Sequence, residues 1–172
     1  MKLRKLIALL PAVLALGVVT ACDNGGTKLH DYVHDGSVKL TLDYHNKDFY
    51  QDGICQVKLN TAIDGDTAHF TPLTGSNKTK LKARFYGIDT PESTGSVEPW
   101  GCMASKFTKE KLKEANDHGT IVVSTPAQGY EAPHPDSTGS RYVSMIWISL
   151  DKQNAPLEDL VSVNLWLVQE GF

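Results

Sequence analysis

From Ile54 onward the chain alternates in polarity. Val57, Leu59, Thr61 and Ile63 alternate with Gln56, Lys58, Asn60 and Ala62, the period of a strand. Asp64-Gly65-Asp66 is turn chemistry, and Thr67 to Phe70 reads as the partner strand of a hairpin. After a second turn at Thr74-Gly75-Ser76-Asn77, Leu81, Ala83 and Phe85 alternate with Lys82, Arg84 and Tyr86, which predicts a third strand. The spacing then changes to threes and fours. Ala104, Phe107, Lys111, Leu112 and Ala115 share one side, and Lys106, Lys109, Glu110 and Lys113 cover the other, so a helix is predicted over about 99–116 with Pro99 opening it. A strand at Thr120–Ser124 follows, then a loop over 128–139 rich in Gly, Pro, His and Ser. Tyr142 to Leu150 is apolar on both faces and is predicted to be a central strand. A last helix is predicted from about Leu157 to Glu170, capped by Gly171.

The order β-β-β-α-β-β-α predicts an α+β domain built on an OB-fold-like five-stranded barrel with packed helices. The boundaries are read as 1–21, 22–50 and 51–172. Met1 to Lys5 is a positive segment, Leu6 to Val19 an apolar run, and Val19-Thr20-Ala21-Cys22 a small-residue close, the layout of a secretory signal peptide. That apolar run is shorter than the roughly 20 residues of a membrane span. The close resembles the bacterial lipobox, which implies that Cys22 is lipidated and that the protein sits on a membrane surface. Residues 22–50, opening on Asp23-Asn24-Gly25-Gly26, read as a flexible tether.

Composition narrows the chemistry. The 172-residue chain has a formal net charge of −3. Without Lys2, Arg4 and Lys5 it is more acidic still, which excludes a tight binder relying on a basic face. An exported chain folds where disulfides persist, so Cys55 and Cys102 either bridge or stay reduced; two cysteines do not suggest a zinc cluster.

Two acidic turns carry candidate chemistry: Asp64-Gly65-Asp66-Thr67 and Asp89-Thr90-Pro91-Glu92. Hard cations take carboxylate and backbone carbonyl oxygens, which two such turns would supply if strand pairing joined them. Arg84 lies on the strand that delivers the second turn, on the face opposite Leu81, Ala83 and Phe85. A cation, carboxylates and an arginine at one point suit phosphodiester hydrolysis. Taken singly, an Asp-Gly turn is also a common hairpin device and Arg84 a common surface ion-pair partner.

Ile63-Asp64-Gly65-Asp66-Thr67 followed by Arg84-Phe85-Tyr86-Gly87-Ile88-Asp89-Thr90-Pro91-Glu92 resembles the paired signature of the staphylococcal nuclease (thermonuclease) family. Trp100-Gly101, Ala104-Ser105 and Phe107-Thr108-Lys109 resemble its first helix; Val163-Asn164 and Leu167 to Gly171 resemble its second. The resemblance spans roughly residues 55–172. It implies a calcium-dependent endonuclease acting on DNA and RNA and releasing 3′-phosphate ends; the protein is expected to be a monomer. Asp66 and Asp89 would hold Ca2+ by carboxylate and Thr90 by its backbone carbonyl. Glu92 would be the general base or would position the attacking water. Arg84 and Arg141 would bind phosphate, although Gly139-Ser140-Arg141 departs from the family's Tyr-Gly-Arg run. The resemblance also implies a third helix after Phe172, so the chain is expected to be C-terminally incomplete.

Two other readings stay open. One is a catalytically idle OB-type module binding nucleic acid or a partner; the other is a phosphodiesterase acting on small nucleotides. The presence of Asp66, Arg84, Asp89, Glu92 and Arg141 together favours the nuclease. Trp100, Trp147 and Trp166 are expected in the core or at its rim, and the lysines of the first long helix on a solvated face.

Overall fold

The computed structural model describes residues 30–93 and 98–172. The expected signal peptide and the lipidation of Cys22 lie outside those residues. The elements are α1 (Phe49–Asp52), β1 (Ile54–Ala62), β2 (Thr67–Pro72), β3 (Leu81–Phe85), α2 (Gly101–His118), β4 (Thr120–Ser124), β5 (Tyr142–Ser149), β6 (Val161–Ser162) and α3 (Val163–Glu170).

The strands run in the order β3-β2-β1-β4-β5-β6, and a parallel β3–β5 pairing closes the first five into a barrel. All other pairings are antiparallel. Closure needs bent strands, and β1 bends at a bulge where Asn60 stands unpaired between the Leu59–Phe70 and Thr61–His69 pairs. The expected α+β barrel is therefore the observed one. β5 is central as its two apolar faces predicted. Ile146 and Ile148 enter the barrel, while Trp147 points outward into a second cluster with Tyr44, Leu40, Ile54 and Leu160.

Inside the barrel, Phe70, Leu81, Ala83, Phe85, Val123 and Ile146 are fully buried. Phe107, Leu112 and Ala115 of α2 and Val163, Trp166 and Leu167 of α3 join the same core. Phe107 meets Trp166 edge-on with centroids 5.4 Å apart, a geometry that aromatic quadrupoles favour.

Three expectations are corrected and one open question is settled. Residues 38–50 are not a tether: Leu40, Tyr44 and Phe49 are buried, and the Tyr44 hydroxyl donates to the Ala155 carbonyl at 2.7 Å. The segment is also clamped by Asp48, whose Oδ2 accepts from Ser76 N and Oγ in the β2–β3 turn. Cys55 and Cys102 are not bridged to each other. Cys55 is a free thiol on the inward side of β1 among core side chains, and burial pushes it up to about 12, which leaves it unreactive. The last helix begins at Val163, not Leu157. Leu157–Asp159 forms a single 3-10 turn, and Val161–Ser162 pairs with Ile148 and Trp147 before Ser162 caps α3 by accepting from Leu165 N. Likewise α2 starts at Gly101, with Trp100 rather than Pro99 at its threshold. Gly171 closes α3 in the left-handed conformation, as its place after the helix predicted.

Candidate active site

The β1–β2 turn and the end of β3 meet because β2 and β3 pair with Thr67 opposite Arg84. That register sets Asp66 beside the Arg84 strand, and Phe85 N donates to the Asp66 carbonyl at 2.8 Å. Leu81, Ala83 and Phe85 point into the core, so Arg84 points out, as the alternation predicted.

The Arg84 guanidinium bridges two carboxylates. Nη1 donates to Asp66 Oδ1, and Nη2 donates to Asp89 Oδ1 at 2.5 Å. The two carboxylates differ in setting: the Asp66 side chain is 2% exposed and that of Asp89 94%. Asp66 Oδ1 also accepts from the Thr67 hydroxyl, and its Oδ2 accepts from Thr90 N at 3.0 Å. Asp66, Arg84, Asp89 and Thr90 thus form one cluster from two turns distant in sequence. Burial pushes the Asp66 carboxyl above its usual value, against the lowering effect of the Thr90 N–H and the Arg84 charge. One guanidinium does not fully compensate this buried charge.

The candidate cation ligands are all oxygen: the Asp66 and Asp89 carboxylates converge on one guanidinium, and Thr90, in the same turn as Asp89, carries a backbone carbonyl. That set fits a hard cation in kind. Among the described residues no group of three or more His, Cys, Asp and Glu side chains gathers as a metal cluster. A cation held here would therefore depend on backbone carbonyls and water beside Asp66 and Asp89.

Several residues that the sequence named only as parts of a turn or a helix shape the cluster. Gly65 is wedged between the second acidic turn and α2: a Cβ there would meet Thr90 Oγ1 at 2.5 Å and Ala104 Cβ at 2.8 Å. The Thr108 hydroxyl of α2 donates to the Gly65 carbonyl at 2.6 Å. Asn164, buried in α3, donates to the carbonyls of Tyr86 and Ser144 and accepts from Ile146 N. It therefore ties the chain just after Arg84 to β5. The available signal was one amide within the apolar run Val163 to Leu167.

Glu92 lies two residues after Thr90, exposed and outside the ion-pair cluster. Its backbone is fixed by a reciprocal pair: Glu92 N donates to Glu98 Oε2 at 2.9 Å, and Glu98 N donates to the Glu92 carbonyl at 2.8 Å. Gly101 presses against the same carbonyl from α2.

Arg141 stands apart from the acidic cluster. The parallel register pairs Arg84 with Val143, and Arg141 is a bend residue immediately before β5. Its Nε donates to Asp136 Oδ2 at 2.6 Å. The long loop before it folds as a small hairpin: Asp136 N donates to the Arg141 carbonyl at 2.7 Å, and Val143 N to the His134 carbonyl at 2.9 Å. Burial alone would raise the Asp136 carboxyl, but hydrogen bonds from Thr138 and Arg141 and the Arg141 charge prevail and hold it at about 2.

A prediction follows from that depression. The Asp136 contribution is fully present above the unfolded carboxyl value of about 3.9 and fades as pH falls through about 2. Asp136→Asn should cost about 1–2 kcal/mol at neutral pH, with the gap between variant and parent closing by about pH 2. Thermal melts of both proteins from pH 7 to 2 check this.

No curated protein matches the chain. The family model described as "Staphylococcal nuclease homologue" matches residues 82–172, a span that holds Arg84, Asp89, Thr90, Glu92 and Arg141. With more than half of its length matched and with the closed barrel that the resemblance implied, this chain belongs to the staphylococcal nuclease homologue family.

Proposed function

We propose that this protein is a calcium-dependent endonuclease that hydrolyses DNA and RNA to products ending in 3′-phosphate. The observation that carries the reading is the convergence of Asp66 and Asp89 on Arg84, with Thr90 hydrogen-bonded to Asp66. Asp66, Asp89 and the Thr90 carbonyl would hold calcium, which when bound supplies positive charge to the phosphate and lowers the barrier to its attack. Arg84 exchanges its carboxylate partners for the phosphate oxygens and stabilises charge as it builds there. Glu92, exposed two residues after Thr90, accepts a proton from the attacking water; the water oxygen bonds phosphorus, the phosphorus–O5′ bond breaks, and O5′ leaves as the alcohol after taking a proton from solvent. Arg141, paired with Asp136 just before β5, would add a second positive group for the phosphate chain.

The acidic balance of the chain supports a local, cation-assisted site over broad backbone neutralisation. The leader and the lipobox-like Cys22 support export and a lipid-anchored position on a membrane surface, with the nuclease acting there as a monomer.

Glu92→Gln tests the assignment. The amide keeps the size of the side chain and cannot accept the water proton. Cleavage is expected to fall at least about a hundredfold, with the melting temperature unchanged because Glu92 is exposed. Unchanged cleavage would remove Glu92 from the reaction. Calcium-loaded, folded protein that binds DNA without cutting it would favour the idle binding module.

A further inference from the structure

The second acidic turn has an aromatic neighbour that the reaction above does not use. Trp100 is 63% exposed, whereas Trp147 and Trp166 are 1% and 5% exposed. Its backbone is left-handed, with φ 68°, at the threshold of α2, and its side chain makes no capping hydrogen bond. A left-handed conformation is costly for a bulky L-residue, and such strain concentrates at functional positions. Glycine would occupy this position without strain, and a small polar residue would cap the helix. Instead the chain places a large exposed indole there.

The backbone that carries that indole is tied to the backbone of Glu92. Gly101, the next residue, presses on the Glu92 and Pro91 carbonyls, leaving no room for a side chain. Gly101 N donates to the Glu98 carbonyl, and Glu98 N donates to the Glu92 carbonyl. The backbone bearing Trp100 is therefore locked to the backbone bearing Glu92. An exposed flat ring on backbone tied to that of Glu92 offers a π-face to an unstacked base.

We propose that Trp100 is a base-stacking platform that seats a nucleotide next to the phosphate being cut. The proposal rests on the nuclease reading of the same site. Stacking accepts any base, so Trp100 contributes affinity and placement without sequence choice.

The test uses the full chain carrying Glu92→Gln, with calcium present, and two single-stranded probes: a deoxythymidine oligomer and an abasic oligomer of equal length. Trp100 is the exposed indole among the three, so its emission reports contact; the Trp100→Phe form gives the background. The deoxythymidine oligomer is expected to quench emission and the abasic oligomer not to. Trp100→Ala is expected to weaken deoxythymidine binding about 5- to 50-fold and leave abasic binding unchanged, with Trp100→Phe restoring most of the loss. With Glu92 intact, Trp100→Ala should raise KM while kcat stays within about twofold. Trp100→Gly should bind as weakly as the alanine form yet melt no lower than the parent, because the strain is relieved.

Equal quenching by both probes, or unchanged deoxythymidine affinity in Trp100→Ala, would overturn the proposal while leaving the nuclease reading intact. Quenching by brominated-lipid vesicles but not by the deoxythymidine oligomer would overturn it in favour of a membrane contact. Failure of every form to bind either probe would overturn both the proposal and the nuclease reading.

Discussion

Arg84→Ala should lower cleavage by about three orders of magnitude and make the stability of the fold depend on calcium. The first effect follows from removing the positive group that faces charge building on the phosphate. The second follows from Asp66. Its carboxylate is buried, and Arg84 is its ion-pair partner. Taking one member of a buried pair leaves the other uncompensated, at a cost of about 2–4 kcal/mol here because Thr67 Oγ1 and Thr90 N still donate to it. Added calcium should recover most of that loss by occupying the point that the guanidinium leaves. The direction with pH is also fixed. Burial already raises the Asp66 carboxyl, and without Arg84 it rises further, so the penalty is largest at neutral pH and shrinks in acid. Melting temperatures of parent and variant, with calcium and with chelator at pH 5 and 7.5, check all three statements. The exposed Asp89 arm of the bridge contributes little to this stability, since an exposed ion pair is worth at most about 1 kcal/mol.

Gly101→Ala should reduce kcat about a hundredfold although residue 101 carries no reacting group. A methyl there would overlap the Glu92 carbonyl and stand 2.8 Å from the Pro91 carbonyl, so the first turn of α2 and the Glu92 backbone must separate. A misplacement of about 1 Å at a reacting group costs rate on that scale. The crowding should also cost about 1–3 kcal/mol of stability. Steady-state cleavage and thermal melts check both. The fall in kcat should persist at temperatures where circular dichroism shows the variant fully folded, which separates displaced chemistry from unfolding.

The sequence revealed the parts of this molecule governed by local spacing. The two-residue alternation around Leu81, Ala83 and Phe85 placed Arg84 on the outer face, and that is where it lies. The turn Asp64-Gly65-Asp66 was legible as a turn, but its contact with Asp89-Thr90 comes from the β2–β3 register, which spacing alone does not encode. The resemblance to a known family supplied that contact. What stayed hidden depends on packing between distant segments. Residues 38–50 look polar and tether-like, yet Leu40 and Tyr44 are buried because β5, through Trp147, leaves an apolar outer face for them to cover, and Phe49 joins the main core. Leu157-Glu158-Asp159 after Pro156 has the chemistry of a helix start, but the pairing of Val161–Ser162 with β5 overrides it. The export reading left it open whether Cys55 and Cys102 bridge. The inward direction of Cys55 on β1 seals it in the core. At the site, Gly101, Thr108 and Asn164 act through backbone carbonyls of other elements, so their roles appear only once those elements are assembled.

The most direct test of the calcium-dependent nuclease is DNA cleavage by the full chain titrated with free calcium, beside the same reaction in chelator. Cleavage that rises with calcium to a plateau and stops in chelator is the result that Asp66, Asp89 and Thr90 around Arg84 predict, and products ending in 3′-phosphate are what the family resemblance adds. Cleavage that is equal with calcium and with chelator, or none at any calcium concentration from protein shown to be folded, would contradict it.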